Sequence, residues 1–182
     1  PKGVTLSNDI VCKHAVCTIT EMRLSQEDNW LHVAPMFHLV DAFSIYAVTA
    51  TSGTHTTQQI FEANATLGII EREGITVTNM ASTMILLLCT NNALRTFDLT
   101  SLRLLSCGGS SLPPATVKRV IASFGCEFFV SYGMTECCGK ISMSILEPAL
   151  RASHELADQL ALVSTSGRSF RLQEIRIVGH DG

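Results

Sequence analysis

Hydrophobic and polar positions alternate between short strand-like runs and longer helical ones along most of the chain. Residues 31–35 read as a strand and 40–50 as the helix that follows; 53–56 read as a strand and 62–73 as a helix. In that second helix Ala63, Leu67 and Ile70 share a face, and Gly74 supplies the stop. Residues 75–80, rich in β-branched side chains, predict a strand, and 83–89 a short helix. Residues 102–107 form the next strand. Residues 113–124 give the clearest helix, with Val117, Val120, Ile121 and Phe124 on one side, Lys118, Arg119 and Ser123 on the other, and Gly125 at its end. Residues 126–131 make a further strand. Beyond Glu136 the pattern weakens into a loop and a polar helix over 146–163, with a last alternating strand at 174–178. Strands separated by helices imply βα units, hence an α/β fold of three layers with a mainly parallel sheet and flanking helices. No internal repeat, low-complexity tract or dividing linker is visible.

Composition narrows the function classes. The 182 residues carry 16 acidic and 13 basic side chains, a net charge of −3, and no Lys/Arg run, so nucleic acid is not expected as a partner. The longest clean apolar run, residues 84–89, is far short of the roughly 18 residues of a membrane span. Apolar residues at 46% exclude disorder. The chain opens on Pro1-Lys2-Gly3-Val4 and stops on a strand-then-turn signal, and its mean hydropathy is +0.28, so it reads as an internal piece of a longer protein. Seven cysteines, with no Cys-x-x-Cys pair, read as packing residues in a reducing compartment; a cytoplasmic location is expected, with a peroxisome or other organelle as the alternative. The vicinal pair Cys137-Cys138 leaves a redox role as the alternative.

Chemistry is expected where strands of a parallel sheet end and helices begin. Cys107-Gly108-Gly109-Ser110-Ser111-Leu112 lies at one such junction; its glycines allow close backbone approach to a flat or anionic ligand, or simply a tight turn. Tyr132-Gly133-Met134-Thr135-Glu136 lies at another. There an aromatic ring can stack on a base, a hydroxyl can bond a phosphate and a carboxylate can hold Mg²⁺. The alternative is a turn whose Thr and Glu cap a helix. Met36-Phe37-His38 follows the first strand, and His38 either borders a pocket or serves structure. No Gly-x-Ser-x-Gly elbow and no Walker loop occurs. The other histidines show no metal-ligand spacing.

Taken in order, these segments resemble the adenylate-forming superfamily of AMP-binding acyl- and aryl-CoA ligases. Pro1-Lys2-Gly3 resembles the end of its Ser/Thr/Gly-rich phosphate loop, Pro35-Met36-Phe37-His38 its Pro-x-Phe-His segment, and residues 107–112 its Gly-Gly-Ala-Pro-Leu type motif. Tyr132-Gly133-Met134-Thr135-Glu136 matches Tyr-Gly-Met-Thr-Glu outright, and Gly167-Arg168 with 174–178 resembles the Gly-Arg…strand segment. Five matches in order cover nearly the whole chain.

The resemblance implies part of the large amino-terminal domain of such an enzyme, with residues 1–182 a partial AMP-binding domain, the phosphate loop truncated and the carboxy-terminal domain absent. It implies Lys2, Thr135 and Glu136 as catalytic residues, with Glu136 the Mg²⁺ ligand. Gly3, Gly108, Gly109, Ser110, Tyr132, Gly133, Met134 and Thr135 would contact ATP or AMP. Phe37, His38 and Gly108 would line the substrate pocket. The implied reaction joins a fatty or aryl carboxylic acid to ATP, giving acyl-AMP and pyrophosphate, before coenzyme A or a carrier-protein thiol takes the acyl group. The piece alone is expected to be inactive. Two alternatives stand beside this reading: a non-catalytic remnant that binds nucleotide or a partner, and an adenylation unit loading a carrier protein in a polyketide or peptide synthase. Ser169, Arg171 and Leu172 replace the Pro, Pro and Gly common after Gly-Arg, and Asp41 stands where many relatives have Gly.

Overall fold

The computed structural model describes residues 3–110 and 112–179. Its strands are β1 (Asn29–His32), β2 (Thr54–Thr57), β3 (Val77–Met80), β4 (Leu104–Gly108), β5 (Glu127–Met134), β6 (Gly139–Met143) and β7 (Arg168–Ser169). The helices are α1 (Asn8–Met22), α2 (Leu39–Ala50), α3 (Ala63–Arg72), α4 (Ser82–Cys89), α5 (Pro114–Phe124), α6 (Pro148–Ser153) and α7 (Leu156–Val163). One sheet runs in the order β2-β1-β3-β4-β5-β6-β7. The first five strands of that order are parallel, and β6 and β7 add antiparallel pairs at one side.

Both faces of the sheet are covered, which explains why its central strands are apolar at consecutive positions rather than alternating. Successive side chains of a strand point to opposite faces. Leu31, Met80, Leu105, Phe128 and Val130 accordingly join one apolar cluster, with Leu67, Ile70, Ile85, Leu88, Val117, Val120 and Phe124 of α3, α4 and α5. Trp30, Val77, Leu104 and Phe129 join the other, with Ala15, Cys17 and Met22 of α1 and Phe43, Ala47 and Val48 of α2. The result is the three-layer α/β arrangement expected from the pattern.

Local signals set the helix ends. The Ser7 hydroxyl accepts from the Ile10 N–H at 3.3 Å to open α1, and Glu62 accepts from the N–H groups of Asn64 and Ala65 to open α3. Gly125 closes α5 with φ of 64°, a conformation that suits glycine.

Three differences from the sequence expectations bear on function. Residues 174–178 form no strand: they leave the sheet, with Ile177 95% exposed, and β7 at Arg168–Ser169 takes the place beside β6. An apolar alternation alone makes no strand where no partner edge is offered. β6 itself carries no sequence signal, because Gly139 and Lys140 occupy buried positions in it. Finally, β5 does not stop at residue 131 but continues through Tyr132, Gly133 and Met134, held by antiparallel pairing to β6.

Candidate active site

The carboxyl ends of β4 and β5 and the start of α2 meet at one rim of the sheet. Each is fixed by bonds that the sequence does not advertise. Asn79, at the end of β3, is fully buried; its amide donates to the Val40 carbonyl at the start of α2 and its oxygen accepts from Ser106 of β4. One side chain thus ties three elements of the rim together. The Ser131 hydroxyl of β5 donates to the Cys107 carbonyl of β4 at 3.3 Å. His38 caps α2, its Nδ1 accepting from the Val40 N–H at 3.2 Å.

Backbone shape opens space between these ends. Gly109 has φ of +87°, and a side chain there would also press on Val40. At Gly133 a β-carbon would fall 1.9 Å from the Gly139 carbonyl oxygen, so only glycine lets β5 and β6 approach at that register shift.

Two adjoining cavities result, sharing Gly109, Ser131 and Gly133. The larger, of about 310 Å³, is lined by His38, Leu39 and Val40 on one side and by Gly108, Gly109, Met134, Thr135, Glu136, Gly139 and Lys140 on the other. The second, of about 230 Å³, lies between Ser110, Tyr132 and residues Ser164, Thr165 and Ser166. Tyr132 is half exposed there, and the Ser110 hydroxyl meets that of Ser82, at the start of α4, at 2.6 Å.

The structure therefore gathers Gly108, Gly109, Ser110, Tyr132, Gly133, Met134, Thr135, Glu136 and His38 around contiguous space. Phe37 is not among them: it is 93% exposed and lines neither cavity, and neither does Gly3. Lys2 and Ser111 lie outside the described residues. Leu39, Val40, Ser131, Gly139 and Lys140 are lining residues that sequence reasoning did not single out. Gly139 and Lys140 were hidden with β6; the others follow motif residues or precede them by one or two places.

Thr135 and Glu136 form the single 3-10 turn Thr135–Cys137 that joins β5 to β6. Both are exposed, and among the described residues neither side chain makes a hydrogen bond. They cap nothing. The turn is instead closed by the Cys138 N–H, which donates to the Thr135 carbonyl at 3.0 Å. A hydroxyl and a carboxylate are left free at the mouth of the larger cavity.

The floor beneath carries buried polar groups. The Lys140 N–H donates to Nε2 of His14 at 3.0 Å, and Nδ1 of His14 faces the Thr18 hydroxyl at 3.4 Å. An acceptor Nε2 requires a neutral ring. Burial, reinforced by the charge of Lys140, pushes the His14 pKa down to about 4. Asp41 is fully buried, its carboxylate accepting from Trp30 Nε1 at 3.0 Å and lying 3.0 Å from His32 Nδ1; His32 Nε2 in turn lies 2.8 Å from His55 Nδ1. All seven cysteines are free: those at 17, 107, 126 and 138 are buried, as expected of packing residues, whereas Cys12 is exposed and Cys89 and Cys137 are half-buried; burial pushes the thiols of Cys107 and Cys126 up to about 12.

Comparison with known proteins agrees with this architecture. A family model described as AMP-binding enzyme matches residues 1–182. Indoleacetate–CoA ligase of Aromatoleum aromaticum is 28% identical over 183 residues, covering 100% of this chain and 34% of that protein. The N-terminal domain of FACL13 from Mycobacterium tuberculosis superposes with a TM-score of 0.85 at 21% identity, covering 100% of this chain and 44% of that one. The Bacillus subtilis O-succinylbenzoate coenzyme A synthetase MenE, solved with ATP and magnesium, superposes at 0.81 with 24% identity, covering 100% of this chain and 35% of that one. This chain thus spans about a third of the length of the curated relative, and its fold is shared with both solved structures. With a mainly parallel sheet covered on both faces, two joined cavities on the rim of its strands and a family match over all 182 residues, the chain belongs to the AMP-binding enzyme family.

Proposed function

We propose that this chain forms the nucleotide- and acid-binding part of an ATP-dependent, AMP-forming carboxylate–CoA ligase. The observation that carries the reading is the pair Thr135 and Glu136, exposed beside a cavity and engaged by no other side chain. Their side chains lie on the lining of the larger cavity and hold no protein partner among the described residues, so both are available to a ligand seated there.

In this reading the Tyr132 ring covers the adenine in the smaller cavity, with Gly109 and Ser110 along its other side and Gly108 at the junction with the larger one. The Thr135 hydroxyl donates to phosphate oxygen. Glu136 suits Mg²⁺ brought in with ATP: that ion takes one or two carboxylates and completes its shell with phosphate and water. When bound, the ion would offset charge building on the phosphate oxygens. His38 and Gly108 border the carboxylic acid in the larger cavity, within reach of the α-phosphate. The acid's carboxylate oxygen attacks that phosphorus and pyrophosphate leaves, giving acyl-AMP. The thiol of coenzyme A then attacks the acyl carbon and AMP leaves. Lys2 and Gly3 belong, by motif, to the loop handling the outer phosphates.

Acid-dependent exchange of labelled pyrophosphate into ATP by the natural full-length protein tests this. Exchange with at least one fatty or aryl acid, depressed at least about 100-fold in Glu136→Gln, is the expected result. Exchange unchanged by that substitution would overturn the assignment of the site. The 182-residue chain alone, which spans about a third of the length of the curated relative, should show no exchange.

A further inference from the structure

Lys140 lies in β6 on the wall of the larger cavity and is only 4% exposed. Its Nζ stands 3.0 Å from the centroid of the Phe43 ring. Among the described residues that nitrogen makes no hydrogen bond and no ion pair, although a buried ammonium without an acceptor is costly.

The neighbouring charges do not complete it. Asp41 of α2 supplies negative charge, but Trp30 Nε1 and the Ser44 hydroxyl occupy one of its oxygens and His32 the other. Asp41 acts on Lys140 only through space. His14 of α1 holds the Lys140 backbone N–H, not the side chain, and Glu136 lies at the cavity mouth. Burial, only partly offset by Asp41, holds the Lys140 amine well below the ordinary lysine range. An anion arriving in the cavity would reverse that balance.

We propose that Lys140 is a specificity-determining residue, whose ammonium selects compact carboxylic acids bearing a second anionic oxygen, a carboxylate foremost, at the end remote from the activated group. The inference rests on the ligase reading above. It deepens that reading by fixing the substrate class: a diacid, with one carboxylate at His38 and the phosphates and the other on Lys140. The aliphatic sides of Leu39, Val40 and Met134 accommodate the carbon frame between them.

The test compares a diacid and a monoacid of equal carbon frame on the full-length protein, in wild type, Lys140→Met and Lys140→Arg. Both calorimetric binding of the acids and pyrophosphate exchange are measured. Expected is a preference for the diacid of about 10–100-fold in wild type, the span of a charge-assisted hydrogen bond. It should be lost in Lys140→Met, with monoacid affinity within about threefold, and largely kept in Lys140→Arg. Equal preferences in wild type and Lys140→Met, or a parallel loss for both acids, would overturn the proposal. If Lys140→Met does not fold, wild type decides alone: monoacid binding as tight as diacid binding overturns it. Diacid binding with no exchange for any acid would overturn the ligase reading while leaving the Lys140 contact supported.

Discussion

The two ends of the same parallel strands are built on opposite terms. At the amino ends, Asp28 is buried beside β1, and every one of its acceptor positions is used: Arg103 donates twice at 2.8 Å, Thr76 once at 2.8 Å and the Ser25 N–H once at 2.8 Å. Arg103 also reaches the carbonyls of Met22 and Arg23, sealing the end of α1 to β4. At the carboxyl ends the Thr135 hydroxyl and the Glu136 carboxylate are exposed with no hydrogen bond among the described residues, and the buried Lys140 amine meets the face of Phe43 rather than an acceptor. A closed network supports the fold, while an open one leaves binding energy for something that arrives later. Ligand binding at the carboxyl ends of a parallel sheet follows from this asymmetry as much as from helix dipoles.

The comparison predicts different kinds of damage. Arg103→Leu strands a buried carboxylate and should cost about 3–5 kcal/mol of stability in chemical denaturation. Glu136→Gln should leave stability within about 0.5 kcal/mol, while the exchange reaction falls as stated above. A Glu136 variant that unfolds, or an Arg103 variant as stable as wild type, would break the contrast.

Acidification separates the two ends by pH window. His14, at the open end, has a folded value of about 4 against an ordinary 6.5, so the unfolded chain takes up the proton first as pH falls. The stability it contributes is complete above about pH 6.5 and lost by about pH 4, on the order of 3 kcal/mol. His14→Gln should flatten that part of the denaturation profile. Burial alone would raise the Asp28 carboxyl, but the bonds from Arg103, Ser25 and Thr76 outweigh it and hold it below the ordinary range. Its contribution is therefore present above about pH 4 and disappears only as pH drops through that lower value. The gap between wild type and Asp28→Asn should persist at pH 5 and narrow only as pH falls below the ordinary carboxyl range, through the lowered folded value. Gly133→Ala sets a β-carbon against the Gly139 carbonyl and should cost about 1–3 kcal/mol, the usual range for overpacking, read from the same denaturation midpoint.

Much of this was legible in the residues, and for identifiable reasons. The helix over Pro114–Phe124 and the strands over Val77–Met80 and Leu104–Gly108 are packed on their apolar sides as the pattern predicts. The motif residues from Gly108 to Ser110 and from Tyr132 to Glu136 meet because parallel strands end on a common rim, so linear motifs at strand ends become neighbours. What stayed hidden depends on long-range partners. Asn79 reads as an ordinary polar residue until Val40 and Ser106 are brought against it. Lys140 argues against a buried strand on composition alone, and only the pairing of Gly133 with Lys140 and of Met134 with Gly139 places it at the cavity. The helix α1, with His14 and Glu21 on its buried side, hides for the same reason. Conversely, residues 174–178 alternate well and still find no edge to join.

The central claim is that the open rim is a nucleotide site, and the location of bound AMP tests it most directly. In crystals of the full-length protein soaked with AMP, the account predicts the adenine between Ser110 and Tyr132 and the phosphate beside Thr135. AMP seated elsewhere on the molecule, with both cavities left empty at saturating nucleotide, would contradict it.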